Sequence, residues 1–376
     1  MHHILTHAIF CNYGGILQAY ALQAVVRKLG TSCSIIDYLP LDWEKWSSTQ
    51  GIRAKLSYWR TLFYMLAGSR KKHFPRFLLP LRHIVFKKFF MHLTRPKKRP
   101  NWGDCFAGAS SFIVGSDQVW RAVYARYLED TPFFFLSKAT EQQRQRSFAY
   151  AASFGSDEWE GTPEETVECT RLLKDFKAVS VREHSGIRIC REVFGVEAVQ
   201  MPDPTLLLEQ SDYTRIIRRW WTRRLPHPSM AVYLLDETEE KNQLTQAVAE
   251  QAGLYPQQLT AHGDAPRAMD RFPLSIPQWL RCIREAECVL TDSFHGCVFA
   301  IIYNKPFVCL GNEGRGNARF DTLLETFDLE DRLITNATTE KVLQVLNTPI
   351  NWKRVNAIHD SERERGINFL KENLCE

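Results

Sequence analysis

Apolar and polar positions along this chain fall into short runs that alternate between two periods. "HHILTHAIF" predicts a strand, and it runs into "CNYGGILQAYALQAVVRKLG", where Ile16, Leu17, Ala19, Tyr20, Leu22, Gln23 and Val26 recur at helical spacing. Gly30 stops that helix, and "CSIIDYLP" predicts a second strand. Strand, glycine turn, helix and strand make a βαβ unit of about 38 residues, and such units are right-handed and imply a parallel sheet.

The same alternation returns further on. "SSFIVGSDQVW" reads as a strand running into Gly115, Ser116 and Asp117, and "RSFAYAASFG" as another ending in small residues. "AVSVREHSGIRICREVFGVEAVQMPDPTLLL" gives a strand, a polar turn at Arg182 to Ser185, a helix, a strand and a Pro-bounded stop. "RRWWTRRLPHPS" is the best linker, because Pro226, Pro228 and Ser229 lie between periodic segments. A second series follows: "MAVYLLD" as strand, Lys241 to Gly253 as helix, "QQLTAH" as strand, "SIPQWLRCIREAECV" as helix, "VLTDSFHG" as strand and turn, "CVFAIIYN" as helix and "PFVCLG" as strand. The expected class is α/β, two Rossmann-like domains facing a cleft. The expected organisation is a first domain over 1–224 with an insertion at about 53–100, a second over 229–345, and a helix in 346–376 packing back on the first.

Length and composition agree with two domains. The chain has 376 residues, more than one core usually supports, and 44% apolar with 24% charged residues gives no sign of disorder. Its ten cysteines form no C-x-x-C pair and no zinc-type spacing, so they read as buried thiols of a reducing compartment. "MHHILTHAIF" lacks a basic stretch followed by a long apolar one, and no run approaches the roughly 18 apolar residues of a spanning helix. The expected location is cytoplasmic, with a peripheral association at the inner face of the membrane considered below.

Charge changes the picture in one place. Between Arg53 and Arg99 there are 14 Lys or Arg and no Asp or Glu, so of 48 basic and 43 acidic residues the remainder of the chain holds 34 and 43, a balance of −9. Trp59, Phe63, Phe74, Phe77, Phe86 and Phe90 are interleaved with that charge. Two readings stand: an amphipathic insertion covering the first domain, or attachment to an anionic membrane surface through 53–99, since interfacial segments combine Lys/Arg with aromatics. The second is favoured. Nucleic acid is not an expected partner, because no recognition module accompanies the charge.

Candidate chemistry sits at strand ends, where helix N-termini offer unsatisfied N–H groups and parallel sheets bind their ligands. Asn12, Gly14 and Gly15 follow the first strand, Ser116 and Asp117 another, Arg182 and Glu183 a third, and Asp292, Ser293, His295 and Gly296 lie in the second half. Each has a bland alternative: a tight turn, a helix cap, a surface charge pair, a satisfied core histidine. Four such clusters together favour a site. Arginine forks and glycine-flanked helix starts suit an anionic substrate, and neither a metal cluster nor a built-in cofactor is expected. "NYGG" is not a dinucleotide fingerprint, and hydrolase and kinase signatures are absent.

"CNYGGILQAYALQ", "VGSDQVW", "YAASFG", "VSVREHSG", "PDPTLLL", "TDSFHGCVFAIIYNKPFV" and "ARFDTLLETFDLEDR" resemble, in order from about residue 6 to 333, the motifs of the polysaccharide pyruvyl transferase family. The resemblance implies a GT-B-like fold. It implies a reaction in which phosphoenolpyruvate donates a pyruvyl group to two hydroxyls of a hexose, giving a cyclic ketal and phosphate. It also makes Arg182 and His295 the donor-binding and catalytic pair. One common form of the motif has arginine before Leu-His-Gly, where this chain carries Ser293; Arg319 is then a candidate for that phosphate contact.

The chemistry suits these residue types. The methylene carbon must be protonated, and histidine is the side chain whose unperturbed pKa lies near neutrality. Asp117 or Glu183 would accept hydroxyl protons. The expected setting is surface or capsular polysaccharide synthesis on a hexose-containing, lipid-linked acceptor. The alternatives are a GT-B glycosyltransferase using a nucleotide sugar and a non-catalytic sugar-binding relative.

Overall fold

The computed structural model describes residues 1–7, 12–37, 97–98, 106–128, 131–260, 274–311 and 317–375. Apart from two residues, the basic aromatic insertion lies outside the described residues, and so does the reading of it as a membrane contact. Among the described residues, no helix is long and apolar enough to cross a membrane.

Two parallel sheets organise the chain. The first contains β1 (His2–Leu5), β2 (Cys33–Asp37), β3 (Lys97–Lys98), β4 (Ser111–Val114), β5 (Phe148–Ala152), β6 (Ala178–Val181) and β7 (Val199–Gln200), in the order β3-β2-β1-β4-β5-β6-β7. The second contains β8 (Ser229–Tyr233), β9 (Tyr255–Gln258), β10 (Cys288–Thr291), β11 (Phe307–Leu310) and β12 (Leu333–Ile334), in the order β12-β11-β10-β8-β9. Every named pairing is parallel. β4, β5, β8, β10 and β11 are buried at every residue, as strands covered by helices on both faces must be.

The order of strand addition reverses between β1 and β4 in the first sheet, and between β8 and β10 in the second. These are the two switch points at which an open parallel sheet leaves a crevice. In the first, Thr6 Oγ1 donates to the Ser116 carbonyl at 2.9 Å, and Gln18 Nε2 donates to Thr6 Oγ1 at 2.9 Å.

The helices follow the sequence periodicity closely where an apolar stripe exists. α1 (Tyr13–Lys28) is capped by Asn12, whose Oδ1 accepts from Gly14 N at 3.0 Å, and it ends on Arg27 and Lys28 where basic charge suits the carbonyl end. In the first half it is followed by α2 (Ala122–Leu128), α3 (Glu141–Gln145), α4 (Pro163–Leu173), α5 (His184–Glu192) and α6 (Gln210–Arg219). The second half carries α7 (Glu239–Ala252), α8 (Ile276–Glu285), α9 (Phe294–Ile302), α10 (Ala318–Thr326), α11 (Thr339–Asn347) and α12 (Trp352–Leu374). α12 lies on the first half, with Phe369 against Phe148 and Tyr150 and Lys177 Nζ donating to the Asn373 and Cys375 carbonyls.

One strand sits elsewhere than its pattern predicts. β9 starts at Tyr255 and includes Pro256, whereas "QQLTAH" starts at Gln257. β9 is an edge strand, where proline's missing N–H costs no ladder bond.

The largest apolar cluster runs through both halves, joining Ile16, Leu17 and Leu22 of α1 to Trp279 and Phe299. Tyr13 at the start of α1 stacks on Trp279 with ring centres 5.2 Å apart and planes 10° apart, and its hydroxyl donates to the Leu274 carbonyl. The halves therefore meet through aromatic packing beside the polar cluster described next.

Candidate active site

Arg182 follows β6 and is 3% exposed. Its Nη1 donates to Asp203 Oδ2 at 2.9 Å, its Nη2 lies 3.9 Å from Asp117 Oδ1, and its Nε lies 4.0 Å from Glu183 Oε2. Its guanidinium stands 4.4 Å over the Phe294 ring. Nε and Nη2 are buried with no hydrogen-bond partner among the described residues. Three carboxylates around one guanidinium outweigh its burial and hold its pKa above the ordinary value.

Asp203 is the hub of the cluster. Proline on both sides in "PDP" ends the strand and starts a short 3-10 turn over Pro204–Leu207, which Asp203 caps: Oδ1 accepts from Thr205 N at 3.0 Å and Thr205 Oγ1 at 2.7 Å. Oδ2 accepts from Ser116 Oγ at 3.1 Å and Arg182, and lies 3.6 Å from His295 Nε2. Burial pushes this carboxyl upward, but His295, Arg182 and Thr205 prevail and hold it well below the carboxylate range.

His295 reaches the cluster from the second half, one residue into α9. Its ring presses on α1: a Cβ built on Gly14 would lie 2.0 Å from His295 Nδ1 and 2.2 Å from Cγ. Gly14 is thus glycine because another side chain occupies the space of its own. Gly15 is less constrained, since a Cβ there would meet Asp117 Oδ2 at 3.4 Å. Nε2 of His295 is buried without a hydrogen-bond partner among the described residues.

Asp117 sits at φ 74°, a conformation uncommon outside glycine, and its Oδ1 accepts from Gln118 N at 2.9 Å. Burial raises its pKa, but Arg182, His7 and His295 lower it further, and the net shift is downward. Arg319, from α10, lines the same narrow cavity as Arg182, Asp203, Phe294 and Thr322. Burial and the like charge of Arg182 lower its pKa to about 10, and its Nε has no hydrogen-bond partner among the described residues.

Arg182, Asp117, Ser116, Gly14, His295 and Arg319 are thus brought together. Four other sequence candidates have structural positions. Asp292 caps nothing in the cavity: its carboxylate accepts from Leu235 N at 2.6 Å, Asp236 N at 3.1 Å and Lys241 Nζ at 2.7 Å, tying β10 to the turn after β8. A Cβ on Gly296 would meet Thr291 Oγ1 at 2.2 Å, so that glycine lets α9 close on β10. Ser293 donates its N–H to Thr291 Oγ1 at 3.0 Å and makes no side-chain cap. Asn12 caps α1. Glu183 stands between the two groups: Oε1 accepts from Ser153 Oγ, Phe154 N and Gly155 N at 2.9, 2.6 and 3.0 Å, holding the turn beneath Arg182, while Oε2 faces the guanidinium.

Sequence reasoning passed over Asp203, Phe294 and His7. Asp203 was readable as an acid isolated between prolines in an apolar stretch, but its spacing served only to mark a stop. His7 bonds through Nε2 to the Gln118 carbonyl at 2.6 Å, and burial lowers its pKa against the pull of Asp117.

Among solved structures, the chain is similar to Arabidopsis thaliana UGT89C1 complexed with UDP-L-rhamnose, at TM-score 0.52 and 10% identity over 100% of this chain and 99% of that one. The same plant protein complexed with quercetin gives 0.50 and 8% over the same shares. UDP-GlcNAc 2-epimerase from Methanocaldococcus jannaschii gives 0.45 and 14% over 94% of each chain. The plant likeness carries the fold alone, a GT-B-like pair of Rossmann-like domains. No curated protein matches the chain. A polysaccharide pyruvyl transferase family model matches residues 12–314, a span that reaches from the Asn12 cap to the far side of His295, and the chain belongs to that family.

Proposed function

We propose that the protein transfers the pyruvyl group of phosphoenolpyruvate to two hydroxyls of a hexose on a lipid-linked acceptor, forming a cyclic ketal in surface or capsular polysaccharide synthesis. The observation that carries this reading is a set of buried donors without hydrogen-bond partners among the described residues: Nε and Nη2 of Arg182, Nε of Arg319 and Nε2 of His295, gathered where the halves meet. Buried polar groups are nearly always paired, and these four donors outnumber the orphaned carboxylate oxygen beside them, Glu183 Oε2, which favours an anion as the missing partner. Phosphoenolpyruvate brings two, a phosphate and a carboxylate.

Arg182 keeps Nη1 on Asp203, and its Nη2 and Nε, 3.9 and 4.0 Å from Asp117 and Glu183 and hydrogen-bonded to neither, are the fork an anion would take, while Arg319 supplies a second cation from the opposite half. His295, whose Nε2 lies 3.6 Å from Asp203, gives a proton to the methylene carbon, and the first hydroxyl attacks the resulting cation. The C–O bond to phosphate then breaks and the second hydroxyl closes the ketal. Of the two hydroxyl protons, one returns to His295 and the other leaves on the phosphate. Asp117, ionised beside the cavity, relays them; attack on a cation asks only for a weak base.

The test incubates the full chain with phosphoenolpyruvate and candidate lipid-linked hexosides. Phosphate release together with an acceptor mass gain of one pyruvyl ketal is expected. Nucleoside diphosphate release from a nucleotide sugar, with phosphoenolpyruvate untouched, would overturn the reading.

A further inference from the structure

Away from the cavity, the segment joining the two halves carries an unusual surface. Arg215, Arg218, Arg219, Arg223 and Arg224 fall within ten residues, with Trp220 and Trp221 between them. α6 turns Tyr213, Ile216 and Ile217 inward, which leaves Arg215, Arg218 and Arg219 exposed. Trp221 is 80% exposed, the most exposed large apolar side chain among the described residues.

That exposure does not come from a loose tail. Just beyond Trp221 the backbone is fastened to α8: Arg223 N donates to Gln278 Oε1 at 2.7 Å, Gln278 Nε2 returns a bond to the Arg223 carbonyl at 3.3 Å, and Arg281 Nη1 donates to Thr222 Oγ1 at 2.8 Å. The indole is held out by ordered neighbours. Charge around it is mostly positive; the acid on the same helix, Asp212, is taken up by Lys28 at 3.0 Å and Arg215 at 3.1 Å. A groove of about 410 Å³ runs along the same helix, lined by Gln210, Ser211, Thr214, Arg215 and Arg218, hydroxyls and guanidinium groups of the kind that bind phosphate oxygens.

A run of arginines alone is ordinarily a solvated face. A presented tryptophan among them is not, because its apolar ring gains by leaving water and its N–H still wants a polar partner, a pair of needs met at the headgroup level of a bilayer. We propose that this arginine–tryptophan face docks on an anionic lipid surface, with Trp221 seated among the headgroups, the exposed arginines on lipid phosphates, and one headgroup in the groove beside α6. The proposal is independent of the reaction proposed above and concerns a different segment from the basic insertion at 53–99.

The test measures partition of the full chain between buffer and vesicles, either phosphatidylcholine alone or phosphatidylcholine with phosphatidylglycerol, at two salt concentrations. Two variants are compared with the parent: Trp221→Ala, and Arg218→Gln with Arg219→Gln. Binding is expected on the anionic vesicles only, weakened by salt. The double variant should bind about 25-fold less, at roughly fivefold per charge near an anionic surface. Trp221→Ala should lose the fluorescence quenching that brominated lipids cause in the parent, and both variants should keep turnover on a water-soluble acceptor. Failure of the parent to bind anionic vesicles overturns the proposal. So does equal binding by parent and both variants, which would assign the contact to 53–99, and so does a loss in the variants of single-stranded nucleic acid binding with vesicle binding intact.

Discussion

Asp292 and His295 lie three residues apart after β10, and their surroundings differ in kind. The Asp292 carboxylate takes two backbone N–H groups and the Lys241 ammonium, all within 3.1 Å. His295 Nε2 approaches Asp203 at 3.6 Å and has no hydrogen-bond partner among the described residues, as is true of Nε and Nη2 on Arg182. Both are buried polar clusters at the junction of strand and helix. One is saturated and fastens two strand ends together. The other is under-bonded, and a site of that kind is completed by a ligand. Saturation, rather than residue type, distinguishes these two clusters.

That contrast breaks most visibly under substitution. His295→Gln keeps the size and polarity of the side chain and removes the proposed proton donor, so turnover should fall by about 10²- to 10⁴-fold with the thermal midpoint nearly unchanged. Full activity in a folded variant would place the proton donor elsewhere. Asp292→Ala should do the reverse. It strands two N–H groups and the Lys241 ammonium, at a cost of about 3 kcal/mol in denaturant unfolding, with activity per folded molecule retained. Lost turnover at unchanged stability would move Asp292 into the site.

The sequence was informative about architecture for a physical reason. Parallel strands covered on both faces are continuous apolar runs, and β4, β5, β8, β10 and β11 are each wholly buried, so their positions stand out against the polar turns. Short or edge elements lack that signal. β9 contains Pro256, β12 has two residues, and α4 has few buried positions, Cys169, Leu172 and Leu173, all near its end. In the site, Arg182, Asp117 and His295 were legible as polar residues at strand ends. Asp203 was not, since its importance comes from three partners at 116, 182 and 295 that only the fold brings within reach. Asp292 and Gly296 looked like Asp117 and Gly14 in sequence, because nothing local tells whether a carboxylate will be saturated or a glycine will face a neighbouring ring.

Acid titration gives the smallest effect and tests burial alone. His7 and His359 both have pKa values lowered by burial, and each bonds a backbone carbonyl through Nε2, at 2.6 Å to Gln118 and 2.8 Å to Leu206. Their unfolded counterparts protonate near pH 6.5, so the folded state binds fewer protons below that pH and loses stability as pH falls, until the lowered folded pKa is passed. Each can contribute a slope of at most about 1.4 kcal/mol per pH unit. Asp203 and Asp117 have depressed values too, so their stabilisation is complete above about pH 3.9 and is lost only as pH falls below it. Denaturant unfolding from pH 8 downward should therefore show two declines, the upper below pH 6.5 and the lower below pH 4. His359→Gln, which lies against Leu206 outside the cavity, should shrink the upper one and leave turnover intact. His7→Gln should shrink it as well, and any additional effect on turnover would come from its place beside Asp117. An upper decline unaltered in the double variant would mean that burial of these two rings does not set the acid response.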